Sequence, residues 1–193
     1  LARAHRVTYV GELGWELYVS ADQTAHVFET LDEAGADLGL KLCGLHTLDS
    51  CRIEKAYRHW GHDITDEDHV LEAGLGFSVR TKKDGFIGRN AVLRKKDEGL
   101  TRRMVQFRLE NPEPLLFHNE AVVRDGKIVG PVTSGAYGHF LGGAIGMGYV
   151  PCKGESEEEV LASSYEIEVA GVRHRAIASL APMHDPKSER VRA

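Results

Sequence analysis

Residues 121–130 read AVVRDGKIVG and residues 165–177 read YEIEVAGVRHRAI. Each is a pair of β-branched or apolar runs separated by a short turn. In the first, Ala121 to Val123 meet Ile128 to Gly130 across Arg124-Asp125-Gly126-Lys127; in the second, Tyr165 to Val169 meet Val172 to Ile177 across Ala170-Gly171. Aspartate and glycine supply the backbone angles that a tight hairpin turn demands, so both stretches are predicted β-hairpins. With Met104, Val105, Phe107 and Leu109 alternating among polar residues upstream, the C-terminal half reads as a small antiparallel barrel or sandwich.

The N-terminal half has a different texture. Val7 and Tyr9, then Trp15, Leu17 and Val19, form two alternating segments around the turn-prone Gly11 to Gly14, which predicts a paired strand or bulged arch. Ser20 with Gln23 is a possible capping box, followed by a stripe of Ala25, Val27, Phe28, Leu31 and Ala34 that Gly35 and Gly39 stop. Gly44 to Ala56 is a second predicted helix with Asp49 and Glu54 on its polar face. Thr65 and Asp68 form a weaker capping pair ahead of Gly74 to Val79, which reads as a buried strand. Gly88 to Asp97 reads as a charged helix whose Arg94 to Asp97 cluster is solvated, and Glu155 to Glu159 as a short acidic loop. The fold class is therefore α+β, with a boundary near Glu98 to Thr101 that divides the chain into 1–98 and 99–193.

Composition narrows the function classes. The 193 residues are 42% hydrophobic, as in a globular protein, and carry a formal charge of −5 without a block of basic residues, so nucleic acid is not an expected partner. No apolar run approaches the roughly 20 residues that span a bilayer, and the N-terminus lacks a signal-peptide pattern, so no membrane association is expected. Cys43, Cys51 and Cys152 are odd in number and have no CxxC spacing, which fits a reducing compartment and argues against a cysteine-rich zinc site. The chain starts with Leu1 and enters a β-pattern at once, so it reads as cut from something longer.

Chemistry-bearing patterns are few. YVGELGWE (9–16) offers Tyr9, Glu12 and Glu16. A carboxylate can accept two hydrogen bonds from a ligand edge with adjacent N–H donors, although charged residues are more often simply solvated. His59 and His62 have ligand chemistry but sit at a glycine-containing turn with no third ligand in register, so no metal is expected. GAYGHFLGGAIGMG (135–148) lacks the Lys-Ser/Thr ending of a phosphate loop and reads as close backbone packing in a sheet. No G-x-S-x-G elbow occurs, and no catalytic residue is assigned.

Five strings in order, RVTYVGELGWELYV (6–19), RIEKAYRHWGHDIT (52–65), LEAGLGF (71–77), FIGRNAV (86–92) and VTSGAYG (132–138), resemble the glycine-cleavage T-protein (aminomethyltransferase) superfamily. The resemblance is greatest to the C-terminal part of dimethylglycine and sarcosine dehydrogenases. It implies the C-terminal portion of a folate-binding domain over 1–98 and an antiparallel barrel over 99–193. It also implies tetrahydrofolate as cofactor and transfer of a one-carbon unit from an amine-derived donor to give 5,10-methylenetetrahydrofolate. In the family's Tyr-x-Gly-Glu-x-Gly-x-Glu stretch the Tyr and final Glu face folate, which maps to Tyr9 and Glu16; Glu12 then belongs to the turn and Trp15 packs inward. FAD is implied only for an upstream part of a parent enzyme. A bacterial cytoplasm, or a mitochondrial matrix in a eukaryote, is the implied location.

The chain departs from the pattern in two places. Leu48 stands where the aminomethyltransferase branch has a folate-binding Arg, with Arg52 left as a folate contact or a structural ion-pair partner. The family's general-base Asp has no match. Two rivals stay open: a fragment of a stand-alone aminomethyltransferase, and a non-catalytic module on the folate-domain architecture.

Overall fold

A computed structural model describes residues 1–192; Ala193, the last residue of the expected second unit, lies outside the described residues. Strands β1 (Arg3–His5) and β2 (Glu16–Tyr18) pair antiparallel, with Ala4 opposite Leu17. Helix α1 (Thr24–Gly35) follows, then α2 (Leu45–Glu54) and α3 (Arg89–Glu98). The second half comprises β3 (Arg102–Leu109), β4 (Ala121–Arg124), β5 (Lys127–Gly138), β6 (Gly143–Pro151), α4 (Glu157–Ala162), β7 (Tyr165–Val169) and β8 (Val172–Ser179).

Both hairpins form, and the six long strands close into a barrel in the order β3-β6-β5-β4-β7-β8. The seam is β3 against β8, with Gln106 opposite Ser179 and Leu109 opposite Ala176. Closure pairs every strand on both sides and leaves no edge for another chain to template on. Alternation along β3 decides what goes where: Val105, Phe107 and Leu109 fill the barrel with Leu116, Val122, Val132 and Ile167. Met104 points the other way, into a second cluster with Ile53, Ala56, Ile145 and Met147 that fastens α2 to the barrel's outer face. The α+β class and the antiparallel barrel of the sequence reading are the architecture observed.

Several local expectations are corrected. The first strand lies at Arg3–His5, and Val7 and Tyr9 fall in the connecting loop, where the Tyr9 hydroxyl donates to the Arg58 carbonyl at 3.1 Å. Trp15 is 60% exposed rather than packed inward. Ser20 makes no side-chain cap, because Ala21–Gln23 form a 3-10 turn and α1 starts only at Thr24. Thr65 and Asp68 do bond, with Thr65 N donating to Asp68 Oδ2 at 2.7 Å, but they close a turn and not a helix. Gly74 to Val79 is no strand: Gly74 sits at φ +70° against the Arg58 guanidinium, and Gly76–Ser78 form a 3-10 turn.

The acidic run is also no loop. Ser156 accepts from Glu159 N while Ser156 N donates to the Glu159 carboxylate, and this capping box starts α4. Three glutamates in the first turn then face the positive end of the helix dipole. Within the solvated cluster, Lys95 instead reaches Glu72 at 2.6 Å. Among the described residues no helix is long and apolar enough to cross a membrane.

Candidate functional site

Helix α2 carries the residues that build the site, because it lies between the N-terminal loop and the barrel wall. Arg52 is buried on its barrel side. Its Nε donates to Asp49 Oδ1 at 3.1 Å, Nη1 to Asp63 Oδ2 at 2.8 Å and to Tyr57 O at 3.1 Å, and Nη2 to Ser134 Oγ on β5 at 2.9 Å. Asp63, equally buried, also accepts from His59 N at 2.8 Å and from the Thr133 hydroxyl. One ion pair thus ties α2, the 57–63 loop and β5 together, and its remaining lone pairs and protons are satisfied, the condition under which a buried pair is tolerated.

The next two residues of α2 work outward from the same helix. Glu54 accepts from Phe140 N and Leu141 N at 2.8 and 2.9 Å, which fixes the turn from β5 to β6. Lys55 is buried and donates to the Asp185 carboxylate at 2.7 Å, pinning the C-terminal segment. Its stem runs directly over Gly11, where any Cβ would collide with it and where the backbone takes φ +80°. That explains the first glycine of YVGELGWE: the turn must be bare to let the lysine pass. Glu12, the turn residue, pairs with Arg190 at 2.6 Å.

Above this floor lies a cleft of about 390 Å³, within the range of small-molecule sites. One side is apolar, from Leu115, Phe117 and Tyr137; the other carries His46, His59, His62, His118 and His139, with Asp49 at the rim. The His59 and His62 rings lie 4.6 Å apart. Among the described residues no group of three or more His, Cys, Asp or Glu is arranged to hold a metal ion. Burial pushes the Cys51 and Cys152 thiols up, so neither is a ready thiolate nucleophile.

The residues singled out in the sequence do not all converge. Arg52 lines the cleft, but as a saturated ion-pair partner and not a free cation. Tyr9 stands behind the cleft wall, its ring edge-on to His59 at 6.4 Å; burial pushes its phenol up, only partly offset by the Arg52 charge. Glu16 is exposed at the start of β2, outside the cleft, and accepts the Tyr18 hydroxyl at 2.7 Å. Leu48 is half-buried on α2. His46, His118 and His139 went unnoticed in the sequence because they are isolated there, and only the fold gathers them.

Two family models match in chain order: the GCVT N-terminal domain over residues 1–83, and the glycine cleavage T-protein C-terminal barrel domain over residues 102–185. The chain belongs to the glycine-cleavage T-protein superfamily. The 4-methylaminobutanoate oxidase (formaldehyde-forming) of Paenarthrobacter nicotinovorans is 44% identical over 97% of this chain and 22% of its own length. Human mitochondrial sarcosine dehydrogenase is 39% identical over 100% of this chain and 21% of its own length. The chain therefore spans about a fifth of these relatives. In fold it matches the glycine cleavage system aminomethyltransferase T from Bartonella henselae with a TM-score of 0.81, at 24% identity, over 96% of this chain and 50% of that one. The closed barrel with helices packed outside is the T-protein architecture, and relatives in the superfamily include both aminomethyltransferases and N-methyl amine dehydrogenases.

Proposed function

We propose that this chain is the tetrahydrofolate-binding, one-carbon-transfer region of a flavin-dependent dimethylglycine or sarcosine dehydrogenase, organised as units 1–98 and 99–193, that forms 5,10-methylenetetrahydrofolate. Tetrahydrofolate, when bound, supplies the amine nitrogens that take up a one-carbon unit released from the oxidised amine. The observation that carries the reading is the α2 cleft: a preformed cavity beside the Tyr9–Glu16 loop, with an apolar wall for an aromatic ring system and polar groups opposite.

Each side chain has a task that its chemistry fits. Glu16 keeps one carboxylate oxygen free of the Tyr18 contact and can accept from the pterin's adjacent N–H donors. Tyr9 packs against the pterin side, and Arg52 positions the floor instead of touching the ligand. The flavin belongs to an upstream domain of the parent, and the location is a bacterial cytoplasm or a mitochondrial matrix.

A second reading, a folate-domain module with no folate role, is favoured by the name of one relative, an oxidase described as formaldehyde-forming, in which the one-carbon product is formaldehyde. Calorimetric titration of the chain with tetrahydrofolate, beside the Tyr9→Ala, Glu16→Ala double variant, separates the two. Saturable binding lost in the variant supports the transfer region. Absence of binding by the folded wild-type chain favours the module.

A further inference from the structure

Five of the ten histidines of the chain line this one cleft. Each comes from a different or distant position: His46 from the first turn of α2, His59 and His62 from the loop after it, His118 from the segment before β4 and His139 from the turn after β5. Among the described residues none of the five imidazoles donates a side-chain hydrogen bond, and His59 Nδ1 stops 3.9 Å from Asp49 Oδ1. An imidazole has at least one N–H donor in either protonation state. The cleft therefore presents several unspent donors to whatever enters it. No arginine or lysine competes for that role, since the Arg52 guanidinium is consumed by Asp49, Asp63 and Ser134.

The donors also have a direction. They face Leu115, Phe117 and Tyr137 across the cleft, so a ligand seated there would lay a flat apolar portion on one wall and present acceptors to the other. No metal explains the histidines, because their placement does not meet a metal's ligand geometry. An aryl group bearing carboxylates fits both walls. We infer that the histidine-lined cleft is a carboxylate subsite that holds the aminobenzoyl-glutamate end of the folate, separate from the pterin contacts of Tyr9 and Glu16. This inference rests on the folate reading. The Asp49 carboxylate at the rim opposes an acidic ligand, and its pairing with Arg52 at 3.1 Å removes most of that opposition.

Three ligands test it by calorimetry: tetrahydrofolate, 6-methyltetrahydropterin, which lacks the tail, and p-aminobenzoyl-glutamate, which lacks the pterin. The His59→Phe, His62→Phe and His118→Phe, His139→Phe double variants keep ring shape and remove the N–H donors. Each is expected to weaken tetrahydrofolate and p-aminobenzoyl-glutamate by about tenfold or more, as losing one good charged hydrogen bond does, with 6-methyltetrahydropterin unchanged. Unchanged tetrahydrofolate affinity in both variants overturns the subsite and leaves the folate reading standing. Binding of none of the three ligands by the wild-type chain overturns both. Should a variant fail to fold, the wild-type chain alone decides: p-aminobenzoyl-glutamate must bind about tenfold more tightly than its uncharged diamide, and equal affinities sink the subsite.

Discussion

The Arg52 guanidinium and the Asp63 carboxylate meet at 2.8 Å with both side chains almost wholly withdrawn from water. Eleven residues of sequence separate them, and between them the chain leaves α2, turns and returns to the barrel. Removing one member of a buried pair strands the other charge, at a cost of about 3–5 kcal/mol. Asp63→Ala is therefore expected to lower stability by about that amount in a urea titration, because Arg52, Thr133 and His59 N all lose their acceptor. A loss under about 1 kcal/mol would show that water replaces the carboxylate and that the pair does not hold the cleft floor.

Glu72 makes stability acid-sensitive. Burial alone pushes its carboxyl up, but hydrogen bonds from Lys95, Thr101 and Arg102 outweigh this and hold it at about 2. A carboxylate held below its unfolded value contributes stability that is complete above the unfolded value and is lost as pH falls through the folded one. The melting temperature should fall between about pH 4.5 and pH 2, and Glu72→Gln should flatten the fall in that window while lowering the plateau near neutrality. A wild-type and variant pair with parallel profiles would refute the assignment.

How much of this was legible in the sequence depends on the range of the interaction. The two hairpins, α1, α2 and α3 follow from local periodicity and turn chemistry, and all form. The seam between β3 and β8 does not, because strands about 70 residues apart carry no local sign of pairing. Ser156 to Glu159 had a capping signature in plain view, and the density of glutamates obscured it. Glu54, Lys55 and Asp63 look like a helix's polar face and a solvated turn, since charges are exposed by default. Each is buried because its partner, Leu141 N, Asp185 or Arg52, arrives from another element. Resemblance to a family supplied the architecture, while the histidine wall of the cleft emerged only with the fold.

Glu54 fixes the β5 to β6 turn through two backbone amides, and no other acceptor of Phe140 N or Leu141 N is in place. Glu54→Ala strands both donors, each costing about 1–3 kcal/mol when left unpaired and buried. The readout is local as well as global: hydrogen exchange at Phe140 and Leu141 should accelerate strongly, with β3 amides protected as before. Uniform acceleration throughout the barrel would mean that Glu54 supports the whole fold and not this turn.

Gly11 and Lys55 should behave as one unit. A methyl group at Gly11 collides with the lysine stem, and the φ of +80° disfavours any L side chain. The backbone part of Gly11→Ala costs about 1–2 kcal/mol, and overpacking adds about 1–3 kcal/mol. Only the second contribution depends on the lysine. In a double-mutant cycle with Lys55→Ala, the Gly11→Ala penalty should shrink to its backbone part, giving a coupling of about 1 kcal/mol or more. Additive losses would mean that the lysine stem moves aside freely, and the bare turn of YVGELGWE would then be required by its backbone angle alone.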